Sequence, residues 1–177
     1  KYRKRYTNLS IDDHIKSLES KKGDLEITDL IYENDKNLSQ PVKVTYDYKL
    51  SDGIDEIADK LYFSPLLFLA IEENPFKLEE RLYPIDFVSP HGDMSIVNIM
   101  LPEGYKVEFL PKSEAVEFRD GDVKFEYILK ENGKYLSLKV NLEINNAIVQ
   151  PADYKSFKVF FNKIVEKQAE QIVLTKV

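Results

Sequence analysis

Val123-Lys-Phe-Glu-Tyr-Ile-Leu-Lys-Glu-Asn-Gly-Lys-Tyr-Leu-Ser-Leu-Lys-Val-Asn-Leu-Glu-Ile144 is two alternating runs joined by a turn. Val123, Phe125 and Tyr127 alternate with charges, and Leu136, Leu138, Val140, Leu142 and Ile144 alternate with polar partners. A period of two puts each apolar set on one face of a strand. Asn132-Gly133 between them is a two-residue hairpin signal, because a type I′ turn needs positive φ at both central positions. Upstream, Tyr105, Val107 and Phe109 alternate in the same way, after the Pro102-Glu-Gly104 turn and ahead of Asp120-Gly-Asp122. The pattern predicts an antiparallel meander with one wet and one dry face. The dry face must be covered by a second sheet or a helix.

A helix is available. After Pro151, Asp153 is placed to cap a segment in which Tyr154, Phe157, Phe161, Ile164, Val165 and Gln168 share a face, widened by Phe160. Phe157 and Phe161, four positions apart, are predicted to be buried. At the other end, Ile11, Ile15 and Leu18 predict a short helix within residues 9–22, with Ser10 as N-cap and Gly23 as C-terminal stop. Val42, Val44, Tyr46, Tyr48 and Leu50 then alternate as a strand, paired with a preceding one across a turn at residues 34–40. Residues 54–76 read less clearly, since Ile54, Ile57, Ala58 and Leu61 fit a helical turn while residues 61–63 fit a strand. The apolar run from Ser64-Pro65 to Ile71 reads as buried packing. A boundary near residues 74–82 gives two parts, 1–80 and 81–177, as separate domains or one packed unit. The fold class expected is mainly β (α+β): an antiparallel, sandwich-like module with a short N-terminal and a long C-terminal helix.

With 177 residues, 43% of them hydrophobic and 32% charged, the chain can bury a full core without staples. It has no cysteine, which excludes a thiol nucleophile, a thiolate metal site and any disulfide. No run of 18 apolar residues is present, so no membrane span is expected. Four of the first five side chains are cationic. On a chain of net charge -6 they read as a solvated linker or first strand rather than a nucleic-acid arm.

No phosphate loop, nucleophile elbow or zinc helix occurs. His14 and His91 stand apart in the sequence and read as surface or turn residues, so no metal and no cofactor are expected. Acidic pairs (Asp12-Asp13, Glu72-Glu73, Glu79-Glu80) are unsurprising in a chain with 31 acids and read as solvated faces. Arg81, Tyr83 and Asp86 surround Pro84, and prolines on both sides of Asp86-Phe87 suggest an edge segment entering a sheet, with Arg81 and Asp86 as a local pair.

Three stretches carry a resemblance: residues 74–87 (Asn-Pro-Phe-Lys-Leu-Glu-Glu-Arg-Leu-Tyr-Pro-Ile-Asp-Phe), residues 101–111 (Leu-Pro-Glu-Gly-Tyr-Lys-Val-Glu-Phe-Leu-Pro), and the ending from Phe161 to Leu174. Together they resemble the C-terminal region of bacterial transglutaminase-like proteins, best known from Bacteroidetes. The segment from Tyr2 to Tyr6 and the run 60–68 resemble the portion just after the transglutaminase-like core. One departure is Val88-Ser89, where the family has a Gly-Tyr type pair before the proline. The resemblance implies a non-catalytic accessory domain in the cell envelope, periplasmic or secreted, packing against or orienting a core upstream of Lys1. Tyr2, Arg3, Arg5 and Tyr6 are its expected partner contacts. The alternatives are a stand-alone envelope module binding carbohydrate or peptide, for which 11 Tyr and 10 Phe supply aromatics, and a hydrolase using acidic residues.

Overall fold

The computed structural model describes residues 9–20 and 24–177. Gly23 and the expected contacts Tyr2, Arg3, Arg5 and Tyr6 lie outside the described residues. Two compact units, 1–53 and 54–177, divide the chain between Gly53 and Ile54, whereas the sequence reading sets its division at 80/81. The fold is mainly β, with antiparallel sheets and a long C-terminal helix.

In the first unit, helix α1 (Ile11–Glu19) is followed by an antiparallel hairpin of β1 (Leu25–Glu33) and β2 (Lys43–Leu50). Ser10 caps α1: its Oγ accepts from the Asp13 N–H at 3.1 Å and donates to the Asp13 carboxylate at 2.7 Å. The β1 register slips after Thr28, where Asp29 takes φ 52°, so the buried set runs Leu25, Ile27, then Leu30. His14 is fully buried, contrary to the surface position expected. It belongs to the same helical stripe as Ile11, Ile15 and Leu18, its ring stacks on Tyr32 at 5.4 Å, and its Nδ1 hydrogen-bonds the Tyr32 hydroxyl. A polar ring with a built-in partner can stand in the core.

The second unit opens with the hairpin β3 (Asp55–Ile57) and β4 (Lys60–Phe63), so the ambiguous segment resolves as strand. Pro65 and Leu66 are buried, in line with the packing expected of that run. After β5 (Ile85–Asp86) come β6 (His91–Met100), β7 (Tyr105–Phe109), β8 (Glu114–Phe118), β9 (Val123–Asn132), β10 (Tyr135–Ile144) and β11 (Ile148–Val149). Helix α2 (Tyr154–Ala169) and β12 (Ile172–Lys176) end the unit. One four-stranded sheet has the order β6-β10-β9-β8, the other β3-β4-β12-β7, and β5 pairs with β11.

The meander is thus β8-β9-β10. β7 belongs to the other sheet, paired with β12. The turn through Pro102 and Gly104, where Gly104 adopts φ 82°, and the Leu110-Pro111 exit carry the chain across and back. In the β9–β10 hairpin Asn132 pairs with Tyr135, so the turn residues are Gly133 and Lys134, and only Gly133 has positive φ (63°). That is the II′ pattern, with Gly in the first central position.

Phe118, Val123, Phe125, Tyr127, Leu136 and Leu138 line the dry face and share one core with Phe63, Ile172 and Leu174 of the second sheet. The cover is α2, which contributes Tyr154, Phe157, Phe160, Phe161 and Ile164. Asp153 occupies the N-cap position, but its carboxylate makes no capping bond. It has helical φ/ψ after the 3-10 turn Pro151–Asp153, and it accepts from the Arg119 guanidinium instead. Phe157 is completely buried, 5.1 Å from the Phe118 ring. Phe157→Ala or Phe161→Ala should therefore cost about 3–5 kcal/mol in chemical denaturation. A loss under about 1 kcal/mol would remove α2 from the core.

Near the end of α2, Lys167 is buried, paired with Glu170 at 2.8 Å and Glu114 at 3.5 Å, with its ammonium 5.3 Å from the Tyr127 ring centre. The Tyr127 hydroxyl beneath has no hydrogen-bond partner among the described residues. Burial, with the Glu170 carboxylate second, pushes its pKa well above the ordinary tyrosine value. Below about pH 10 the phenol is neutral in both the folded and unfolded states; as pH climbs past it the unfolded chain ionises first, so stability falls. Tyr127→Phe should raise the unfolding free energy by about 1 kcal/mol at neutral pH. It should also flatten the loss of stability above about pH 10, both read from denaturant midpoints.

Candidate functional site

Residues 74–88 cross α2 as a strap with almost no regular structure until β5. What fixes an irregular segment is the satisfaction of its own polar groups. The Asn74 amide donates to the Lys158 carbonyl at 2.9 Å and to the Asn162 side chain at 2.5 Å, while its oxygen accepts from the Phe76 N–H. The Leu78 carbonyl accepts from the Tyr154 hydroxyl at 3.0 Å and from Lys158 Nζ at 2.9 Å. Phe76 drops into the aromatic set of the helix, 5.0 Å from Phe157 and 5.1 Å from Phe161. Ile85 is buried, and the Phe87 N–H donates to the Ala147 carbonyl at 2.8 Å.

Charges rim the strap. Glu80 takes Lys155 at 2.7 Å, and that hydrogen-bonded ammonium lowers the Glu80 pKa; Lys77 does the same for Glu73. Arg81 and Asp86 go to different partners rather than to each other. The Arg81 guanidinium lies 5.8 Å from the Tyr154 ring centre, and Asp86 Oδ1 accepts the Val88 N–H at 2.7 Å.

Between these anchors the strap turns apolar side chains outward. Leu82 and Val88 are each 89% exposed and Tyr83 is 78% exposed, with Leu78 also outside. Exposed large apolar groups on a backbone already held in place form a contact surface whose ordering cost has been met in advance. The arrangement offers apolar area and an aromatic face at the surface. Val88 adds strain, since a β-branched residue at φ 72° is an outlier.

Within the first unit, Asp13 binds the Ser10 cap. In the second, His91 is exposed, with its Nδ1 on the Ser89 carbonyl and its ring edge-on to Phe87 of the strap at 6.2 Å. Among the described residues, no three His, Asp or Glu side chains gather as metal ligands, and no helix is long and apolar enough to cross a membrane. Sequence reasoning marks Arg81, Tyr83 and Asp86, and Val88 only as a departure from the resembled family, but not Leu82. The available signal is an apolar residue on each side of a proline-rich segment that lacks any period.

Residues 59–174, containing the whole strap, match a domain family described as a domain of unknown function of solved structure, DUF3858. The chain belongs to the DUF3858 family. The DUF3858 region begins in the β3–β4 hairpin and ends in β12, so it falls inside the second compact unit. Among solved structures, a protein from Parabacteroides distasonis ATCC 8503, provisionally described as a protease, is similar at 12% identity and a TM-score of 0.47. The likeness covers 55% of this chain and 19% of that one, and at that level it speaks to neither activity nor substrate. Among curated proteins none matches.

Val88→Gly tests whether the strap is held under strain. Relieving a positive φ at a β-branched residue should offset the entropy glycine adds to the unfolded chain. The expected result is an unchanged or higher denaturation midpoint; a loss of about 1 kcal/mol would mean that no strain is stored there.

Proposed function

We propose that this DUF3858 chain is a non-catalytic accessory module of an envelope protein. It packs against and orients a transglutaminase-like core upstream in the same polypeptide. The observation that carries the reading is the strap: Leu82, Tyr83 and Val88 face outward from a backbone fixed by Asn74, Phe76, Tyr154 and Lys158. A preformed apolar edge of that kind suits a protein surface, because apolar contact is worth most where little has to be ordered to make it. The choice of core as partner rests on the family resemblance at residues 74–87 and 101–111.

The test takes the parent reading frame, expresses its upstream region separately, and titrates it with this chain in a calorimeter. Binding should be measurable, and Leu82→Asp combined with Tyr83→Ser should weaken it at least about tenfold, the equivalent of about 1.4 kcal/mol. The melting temperature of the chain should stay the same, since both side chains are solvent-exposed. A parent frame without a transglutaminase-like core, or binding indifferent to the double substitution, would overturn the proposal.

A further inference from the structure

The four edges of the two large sheets are not alike. Three are short and charged: β3 has three residues including Asp55 and Glu56, β7 has five with Lys106 and Glu108, and β8 has five with Glu114 and Glu117. The fourth, β6, has ten residues, is hydrogen-bonded only to β10 among the described residues, and carries neither charge nor proline from Met94 to Met100. Its outward side chains include Met94, Ile96 and Met100, exposed by 57%, 63% and 67%, with Tyr135 beside Met100 on β10. Short length, charge and proline are the devices that keep a free edge from pairing. This chain uses the first two on three edges, and the Met94–Met100 stretch of β6 carries none of the charge or proline that would guard it.

We propose that the β6 edge is a self-association surface, on which the β6 strands of two copies of this chain pair antiparallel about a two-fold axis at Val97. The occupant follows from the strand's own sequence. In that register Val97 faces Val97, Met94 faces Met100 and Ile96 faces Asn98, so outward residues stay with outward residues and the exposed methionines cover each other. Like charges never meet: Asp93 falls opposite Leu101, and His91 opposite Glu103 of the other copy. The last seven residues of the strand offer no charge to select a charged foreign segment, whereas a second β6 matches all seven of them. Backbone pairing supplies the bonds and the outer face supplies the apolar contact. The surface is separate from the strap and goes beyond the accessory role.

The test uses the chain itself. Sedimentation equilibrium at about 100 µM, where a contact of micromolar affinity is saturated, should give twice the monomer mass. Ile96→Lys should return it to monomer, with an unfolding midpoint equal to wild type when both are measured at high dilution where neither dimerises, and Leu82→Asp on the strap should leave the dimer intact. Because the chain has no cysteine, Val97→Cys places a single thiol on the proposed axis. It should cross-link under mild oxidation at least tenfold faster than Glu117→Cys on the β8 edge, which decides the matter should Ile96→Lys fail to fold. Monomeric wild type at that concentration, a dimer that survives Ile96→Lys, or faster cross-linking at position 117 would each overturn the assignment.

Discussion

The second unit depends on one face being kept dry. β8, β9 and β10 present Phe118, Phe125, Tyr127, Leu136 and Leu138 to a single side, and water must be excluded from all of them together. At about 1.5 to 3 kcal/mol for each large apolar side chain buried, that face outweighs any ion pair in the molecule. Helix α2 does the covering with Phe157, Phe160, Phe161 and Ile164. Its phenylalanines leave an aromatic rim of their own, however, and the rim is closed by Phe76. The strap is therefore required by the helix, as the helix is required by the sheet.

This dependence explains why the motif around residues 74–87 has the composition it has. Asn74 and Phe76 bind α2, while Ile85 is buried where β5 pairs with β11. With those positions committed to packing, Leu82, Tyr83 and Val88 are what remains to face outward, and nothing in the fold of the unit requires them to be apolar. On the accessory reading proposed above, their chemistry serves a partner rather than stability.

Legibility in the sequence follows periodicity. β9, β10 and α2 are readable because one face of each is buried and the other is wet, and the N-cap at Ser10 is readable because a hydroxyl before an apolar stripe has a specific partner, the Asp13 N–H. β6 is not readable: Met94, Ile96 and Met100 occupy one parity and Val97 and Ile99 the other, so no alternation survives. The placement of β7 is hidden for a different reason, since its pattern shows that it is a strand but not which sheet receives it. His14 reads as a surface residue because its partner, Tyr32, lies 18 positions away. The strap is the least legible part, because its anchors are mostly backbone carbonyls and amides met by side chains of α2 more than 70 residues later. Such bonds leave no period behind.

The central claim is that the strap is as firmly held as the helix it crosses. Native-state hydrogen exchange tests this at the Phe76 and Phe87 N–H groups of the strap and at Ile71 just ahead of it, which donate to Asn74, Ala147 and Gln168 respectively. If the strap is part of the core, these amides exchange only through global unfolding, with protection close to that of the α2 amides around Phe161 and Ile164. Exchange more than about a thousandfold faster than α2, equivalent to about 4 kcal/mol of independent opening, would show a loose loop and would contradict the account.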